Sequence, residues 1–169
     1  MTRPTTPGNS RVTLRRLTLS DVPFLLELLN DPDFIANIGD RHVRTFEDAE
    51  RYLTSGPLEM YEQLGYGLWC VELRTTSTPI GICGLLKREW LEDVDLGFAL
   101  LPDFRGKGYA IEAARITMAR ASEVYHLQRV VAIVSRGNER SEQLLAKLGM
   151  KFERMVQSAP GAPEIQLFS

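Results

Sequence analysis

The spacing of hydrophobic positions changes repeatedly along this chain, and each change marks an element. Arg11-Val12-Thr13-Leu14-Arg15-Arg16-Leu17 alternates polar and apolar, which places Val12 and Leu14 on one face of a first strand. From Ser20, read as an N-cap, Val22, Leu25, Leu26 and Leu29 recur at helical spacing with Pro23 near the start. This predicts an amphipathic helix that ends at Asn30-Asp31-Pro32. Thr45 and Asp48 have the spacing of a capping box ahead of Ala49, Tyr52 and Leu53, and Gly56-Pro57 breaks or restarts that helix before Met60, Tyr61 and Leu64. Trp69, Val71 and Leu73 alternate in a second strand, and a turn at 75–79 leads to an apolar run at 80–86. The pair predicts a hairpin in which Gly81 and Gly84 mark the close approach of another backbone or a ligand.

Residues 94–122 read as strand, tight loop and helix, with Ile111, Ala114, Met118 and Ala121 as the buried stripe of the helix. The continuous run at 130–134 suits a strand covered on both faces. A further helix is expected over 139–148, with Leu144, Leu145 and Leu148 inward and Gly149 as its C′ residue. Residues 152–156 and 164–168, on either side of Ala159-Pro160-Gly161-Ala162-Pro163, form a closing strand pair. The last strand is expected to be exposed and able to pair with a second copy, which leaves monomer and homodimer both open. Residues 1–10, rich in Pro, Thr, Ser and Gly, predict a disordered leader, and 11–169 a single domain.

Composition narrows the partners. A chain of 169 residues, 44% hydrophobic, is long enough for one well-buried core and too short for two. A formal net charge of -2 provides no excess of cations to drive binding to nucleic acid or a membrane, so any anion site must be local. Cys70 and Cys83 lie in apolar runs outside any C-x-x-C or Cys/His pattern and read as small core residues in a reduced compartment. His42 and His126 have no partner at metal-ligand spacing, so no metal is expected. No apolar run approaches the roughly 20 residues of a membrane span, and the first residues lack the apolar segment of a secretory signal. A cytoplasmic location is the expectation.

The densest chemistry is Arg105-Gly106-Lys107-Gly108-Tyr109-Ala110, two glycines and two cations directly before a helix start. Such a segment gathers backbone N–H donors and the positive end of a helix around a phosphate. Its spacing fits neither G-x-x-x-x-G-K-[ST] nor G-x-G-x-x-G followed by an acid. It reads R-x-x-G-x-A, which resembles the acetyl-CoA pyrophosphate loop of the GNAT N-acetyltransferase superfamily, Q/R-x-x-G-x-G/A. A second segment, Asn138-x-x-Ser141-x-x-Leu144-x-x-x-Leu148-Gly149 followed by Phe152-Glu153, resembles the N-x-x-S…L-G-F stretch of the RimJ/RimL-like branch, whose members acetylate protein N-termini and related amines. With the first strand, the first helix and Asn30-Asp31-Pro32, the similarity spans residues 11–168.

The resemblance implies an α/β (α+β) fold, the GNAT fold, with a mixed, mostly antiparallel sheet of six to seven strands, about four flanking helices and splayed central strands. It implies acetyl-CoA as cosubstrate, no metal, and transfer to a primary amine by direct attack in a ternary complex. A protein N-terminal α-amine is one acceptor; a small-molecule amine (amino acid, polyamine or antibiotic) and a non-catalytic acetyl-CoA-binding module are the alternatives. Backbone N–H groups of Gly106, Lys107, Gly108, Tyr109 and Ala110 would cradle the pyrophosphate, with the helix start adding about 0.3–1 kcal/mol per well-placed anion. Arg105 and Lys107 would supply charge at the rim. Free main-chain groups of Ala99, Leu100 and Leu101 would pair with the pantetheine arm, and Asn138 would cap its helix and touch the cofactor.

For the chemistry, Asp95 shares a strand face with Gly97 and Ala99 and falls where many members carry a Glu as general base; Glu89, Glu92 and Asp93 compete for the role. A protein α-amine of pKa about 7.7–8.0 is roughly 10–20% neutral at pH 7, whereas a lysine at about 10.4 costs about 4.6 kcal/mol to deprotonate. Only the first manages with a weak or water-relayed base. Many relatives protonate the departing thiolate with a Tyr whose position is held here by Leu145, and the branch offers Ser141 as the donor instead. Trp69, Trp90 and Tyr66 read either as acceptor-pocket walls or as core. The acidic run at 89–95 would suit a cationic substrate.

Overall fold

The computed structural model describes residues 8–169, so the first seven residues of the expected leader lie outside it. Strand β1 (Val12–Arg16) is followed by helices α1 (Val22–Leu29), α2 (Pro32–Asn37), α3 (Phe46–Leu53) and α4 (Glu59–Leu64). Then come β2 (Leu68–Leu73), β3 (Pro79–Leu86), β4 (Val94–Leu100), α5 (Tyr109–Glu123), β5 (Val130–Ser135), α6 (Glu139–Lys147), β6 (Phe152–Val156) and β7 (Ile165–Phe168). The strands form one seven-stranded sheet in the order β1-β2-β3-β4-β5-β7-β6. Every pairing is antiparallel except β4 with β5. One face carries α5 and α6 over Val12, Trp69, Val71, Leu85 and Leu96; the other carries α1–α3 over Cys70 and Ile82.

Local chemistry explains most element starts. Thr45 and Asp48 make both hydrogen bonds of a capping box at α3. The first helix begins earlier than Ser20. The Asp21 carboxylate accepts the Thr18 N–H at 2.8 Å and opens a 3-10 turn, Leu19–Asp21, that runs into α1. Gly56-Pro57 does not stop the second helical region; the chain passes through a wider π turn, Thr54–Leu58, that absorbs the proline. Gly65, at φ +81, ends α4.

Close packing on the sheet decides two further points. A Cβ on Gly81 would stand 2.3 Å from the Ala99 carbonyl oxygen, and one on Gly84 only 2.0 Å from that of Gly67, so backbones do approach there. On α5 the buried positions are Ala113, Ala114, Ile116, Thr117 and Ala121, while Ile111 and Met118 are half-buried at the margins. The small residues face the sheet because they let the helix axis come close; the larger ones fill its flanks.

The closing strands differ from expectation in order. β7 lies between β5 and β6, so the final strand is paired on both sides and β6 is the edge. Trp69 and Tyr66 are core, 2% and 8% exposed, and Trp90 packs beside Leu91 and Val131. Burial pushes the thiols of both Cys70 and Cys83 up to about 12, which leaves them inert. Among the described residues, no helix is long and apolar enough to cross a membrane.

Candidate active site

β4 sits at the centre of the sheet, yet Gly97, Phe98 and Ala99 stay half-exposed while Val94, Asp95, Leu96 and Leu100 around them are buried. The cause is the departure of β5. β3 follows β4 for six register pairs, from Leu86↔Asp95 to Gly81↔Leu100, whereas β5 follows it for two, Val94↔Val130 and Asp95↔Val131. Beyond Asp95 the two parallel strands splay into a cleft. Leu101 donates its N–H to the Ile80 carbonyl at 2.8 Å. Peptide directions alternate along an antiparallel ladder, so the groups of Phe98 and Leu100 turn into the cleft and those of Ala99 turn toward β3.

Helix α2 straddles the open end of this cleft. At its start, Arg105 reaches from beyond β4 to Asp33 (Nη1–Oδ2 2.8 Å) and to Asp31, while its Nε donates to the Leu100 carbonyl at 3.0 Å. Asp31 in turn caps α2 by accepting the Phe34 N–H at 3.0 Å. At the other end, Ser135 of β5 donates its hydroxyl to the Asn37 carbonyl at 2.7 Å. One short helix therefore ties together the two arms that the sheet leaves apart.

The loop after β4 has the features of an anion cradle. Gly106 (φ +73) and Gly108 (φ +85) occupy left-handed positions that would cost an L side chain roughly 1–2 kcal/mol each. The first N–H groups of α5 have no acceptor within the helix, and those from Gly106 to Ala110 make no hydrogen bond to another described residue. Arg11 braces the loop from the start of β1. Its Nη2 donates to the Lys107 carbonyl and its Nε to Glu112 Oε2, both at 2.8 Å, and its guanidinium lies 4.5 Å from the centre of the Tyr109 ring. Lys107 is exposed and makes no ion pair among the described residues.

Asp95 lies at the vertex, 1% exposed, with Arg88 Nε 2.9 Å from its Oδ1. Burial raises the pKa of this carboxyl, and Arg88 and Lys87 pull it back only in part. Across the cleft, beyond β5, Asn138 Oδ1 caps α6 by accepting the Ser141 N–H at 3.4 Å. The Ser141 hydroxyl is half-buried and has no partner among the described residues. Leu145, one turn further, is fully buried in the core.

The model for the acetyltransferase (GNAT) domain matches residues 11–151 of this chain. The chain belongs to the GNAT acetyltransferase family. It is 23% identical over 148 residues to the uncharacterized N-acetyltransferase YoaA of Bacillus subtilis, a match covering 87% of this chain and 83% of that protein. Its fold is shared with a ribosomal alpha-N-protein acetyltransferase, RimL, solved in complex with coenzyme A (TM-score 0.80, 15% identity, covering 96% of this chain and 95% of that one). It is shared also with the spermidine N-acetyltransferase of Vibrio cholerae solved with CoA and spermine (TM-score 0.78, 17% identity, 95% of each chain). At these identities the two structures speak to the fold alone.

In this acetyltransferase the residues singled out in the sequence converge on the splayed strands, with three adjustments. The Arg105 guanidinium is engaged by Leu100, Asp31 and Asp33, so it braces α2 instead of standing free at the rim of the loop. Neither Ala99 nor Leu101 offers free groups: those of Ala99 turn toward β3, and Leu101 gives its N–H to Ile80 while its carbonyl accepts from Phe104 at 3.1 Å. Phe98 takes their place beside Leu100. Glu89 and Glu92 are exposed loop residues, and Asp93 is paired with Arg129 at 2.9 Å. Sequence reasoning missed Arg11 and Arg88. The first acts across 96 residues of chain. The second stands on the face of Asp95 only because the β3–β4 register sets Leu86 opposite it. A local pattern encodes neither.

Proposed function

We propose that this acetyltransferase moves the acetyl group of acetyl-CoA to the primary amine of an acceptor held on the α1–α3 side of the cleft, an α-amine being the class that suits its weak base. The observation that carries this reading is the unpaired edge of a central strand leading into a helix start whose N–H groups are unused. An extended pantetheine chain adds to such an edge through the main-chain groups of Phe98 and the N–H of Leu100, whose carbonyl already accepts from Arg105, as a strand would. The pyrophosphate then falls at Gly106–Ala110, where unsatisfied donors and the helix dipole favour anions, with Lys107 at the rim.

The transfer itself needs little from the protein beyond placement and two protons. The neutral amine attacks the thioester carbonyl, a C–N bond forms, and the C–S bond breaks with its electron pair leaving on sulfur. The surplus proton on nitrogen passes to Asp95, directly or through a water, and the thiolate takes a proton from the Ser141 hydroxyl, which is restored from solvent. A carboxyl whose pKa is raised by burial is the better base for this work. Asn138 positions Ser141 by capping α6.

Incubating the protein with acetyl-CoA and a panel of amidated peptides with free N-termini, amino acids, polyamines and aminoglycosides, with free thiol as the readout, tests this. Release that requires both acetyl-CoA and an amine is the expected result. No release with any class sinks it.

A further inference from the structure

At the vertex, a guanidinium covers the buried carboxylate. Asp95 is 1% exposed, and the Arg88 side chain, 26% exposed, stands over it with Nε on Oδ1. The two terminal nitrogens of Arg88 have no partner among the described residues. Arg41, exposed on the loop before α3, makes no ion pair or hydrogen bond among them either. Both cations bear on Tyr52 of α3: burial raises its hydroxyl pKa, and Arg41 and Arg88 pull it back. Lys87 directs its ammonium to the carbonyls of Leu91 and Glu92, at 2.5 and 2.7 Å, so no carboxylate neutralises it.

The aspartates of this side are matched, whereas Glu27 of α1 and Glu47 and Glu50 of α3 are exposed and make no ion pair among the described residues. Asp31 and Asp33 pair with Arg105, Asp40 with Arg44, and Asp93 with Arg129. Glu89 and Glu92 are unpaired, but neither is felt at Asp95, whose charged neighbours are Arg88 and Lys87, nor at Tyr52. At the vertex, Arg88 and Lys87 act on the Asp95 carboxylate, and Arg41 joins Arg88 at the neighbouring Tyr52. Of the acidic run at 89–95, which in the sequence suited a cationic substrate, Asp93 and Asp95 are paired with Arg129 and Arg88, and Glu89 and Glu92 stay exposed.

We propose that the acceptor of this acetyltransferase carries a carboxylate close to its reacting amine, and that Arg88 and Arg41 bind it. The inference rests on the α1–α3 side of the cleft being the acceptor side. A guanidinium fork with two free nitrogens matches a carboxylate bidentately. Engagement by that carboxylate draws Arg88 away from Asp95 and leaves the Asp95 oxygen for the amine, so the same contact that selects the acceptor uncovers the base. A free acidic amino acid and a peptide with an acidic second residue share this chemistry.

The probes are amidated peptides beginning Ser-Glu, Ser-Gln and Ser-Lys, together with free glutamate and spermidine, each assayed with acetyl-CoA by thiol release. The quantity read is the ratio of kcat/KM for Ser-Glu over Ser-Gln. We expect about tenfold or more in the wild type, falling to about threefold or less in Arg41→Gln and Arg88→Gln, and shrinking as salt screens the pair. Faster turnover of glutamate than of Ser-Glu, or the reverse, assigns the source of the carboxylate, and either supports the proposal. A wild-type ratio near one, a preference for Ser-Lys or spermidine, or a ratio that survives both substitutions overturns it while acetyl transfer to amines stands. If no probe turns over, the acetyl-transfer reading itself fails. Arg41 is exposed, so its variant keeps the test valid if Arg88→Gln does not fold.

Discussion

The two edges of β4 are built on opposite principles. Toward β3 the ladder runs six pairs, and the glycines Gly81 and Gly84 remove side chains so that backbones meet without a gap. Toward β5 it stops after two, and the strand's middle residues keep solvent access at the centre of the sheet. The closed edge fixes where β4 lies; the open edge leaves main-chain groups without a strand partner. The lesson is that a site can be made by withholding pairing, provided that the other edge and a bridging helix hold the strand in place.

The largest effect should come from breaking the closed edge. Gly84→Ala sets a methyl 2.0 Å from the Gly67 carbonyl oxygen, and neither backbone has room to yield. Overpacking of this kind costs roughly 3 kcal/mol, or about 6–12 °C in Tm for a chain of this size. A melting curve within a degree or two of wild type would mean that the edge is not closed as described.

Next in size is the vertex. Asp95→Asn should lower kcat/KM about a hundredfold, with little change in CoA affinity, if Asp95 takes the proton. Its acidic limb in the pH profile should lie above the ordinary carboxylate range, since burial raises it. Stability carries the same sign. A carboxyl with a raised folded pKa holds its proton more tightly folded than unfolded, so its contribution is full at low pH and is lost as pH rises through the raised value. Asp95→Asn should therefore gain in Tm relative to wild type from pH 3 toward pH 7; a widening deficit would contradict the burial argument.

The brace across the open end should weigh somewhat less. Arg105→Gln removes charge-assisted bonds to Asp31 and Asp33 and should cost about 2 kcal/mol, read by denaturant unfolding, while CoA affinity changes less than about threefold. A tenfold loss of CoA affinity at unchanged stability would instead return Arg105 to the phosphate rim. The smallest effect is at the loop. Gly108→Ala at φ +85 should weaken CoA binding about fivefold, equivalent to about 1 kcal/mol, measured by calorimetry.

Much of this architecture was legible in the chain. The alternation of Val12 and Leu14, the Thr45–Asp48 box, the glycines of β3 and the C′ glycine Gly149 each stand within a few residues of the element they specify, so local rules found them. The errors have one source. The face of α5, the edge position of β6 and the free groups of Phe98 rather than Ala99 and Leu101 depend on which element packs or pairs where, and that is set by contacts far away in sequence. Arg105 shows the limit within a motif: its residue type matched the expected pattern, but its partners, Asp31 and Asp33, lie more than seventy residues earlier.

By itself, then, the sequence determined the element types and the R-x-x-G-x-A loop with its two left-handed glycines, because propensity, capping and backbone sterics act over a few residues. Only the tertiary structure decided what β4 leaves open and what electric field surrounds Asp95. Strand pairing and charge pairing are long-range choices. The register of β3 on β4 brought Arg88 over Asp95, and the splay of β5 turned a buried strand into an exposed one.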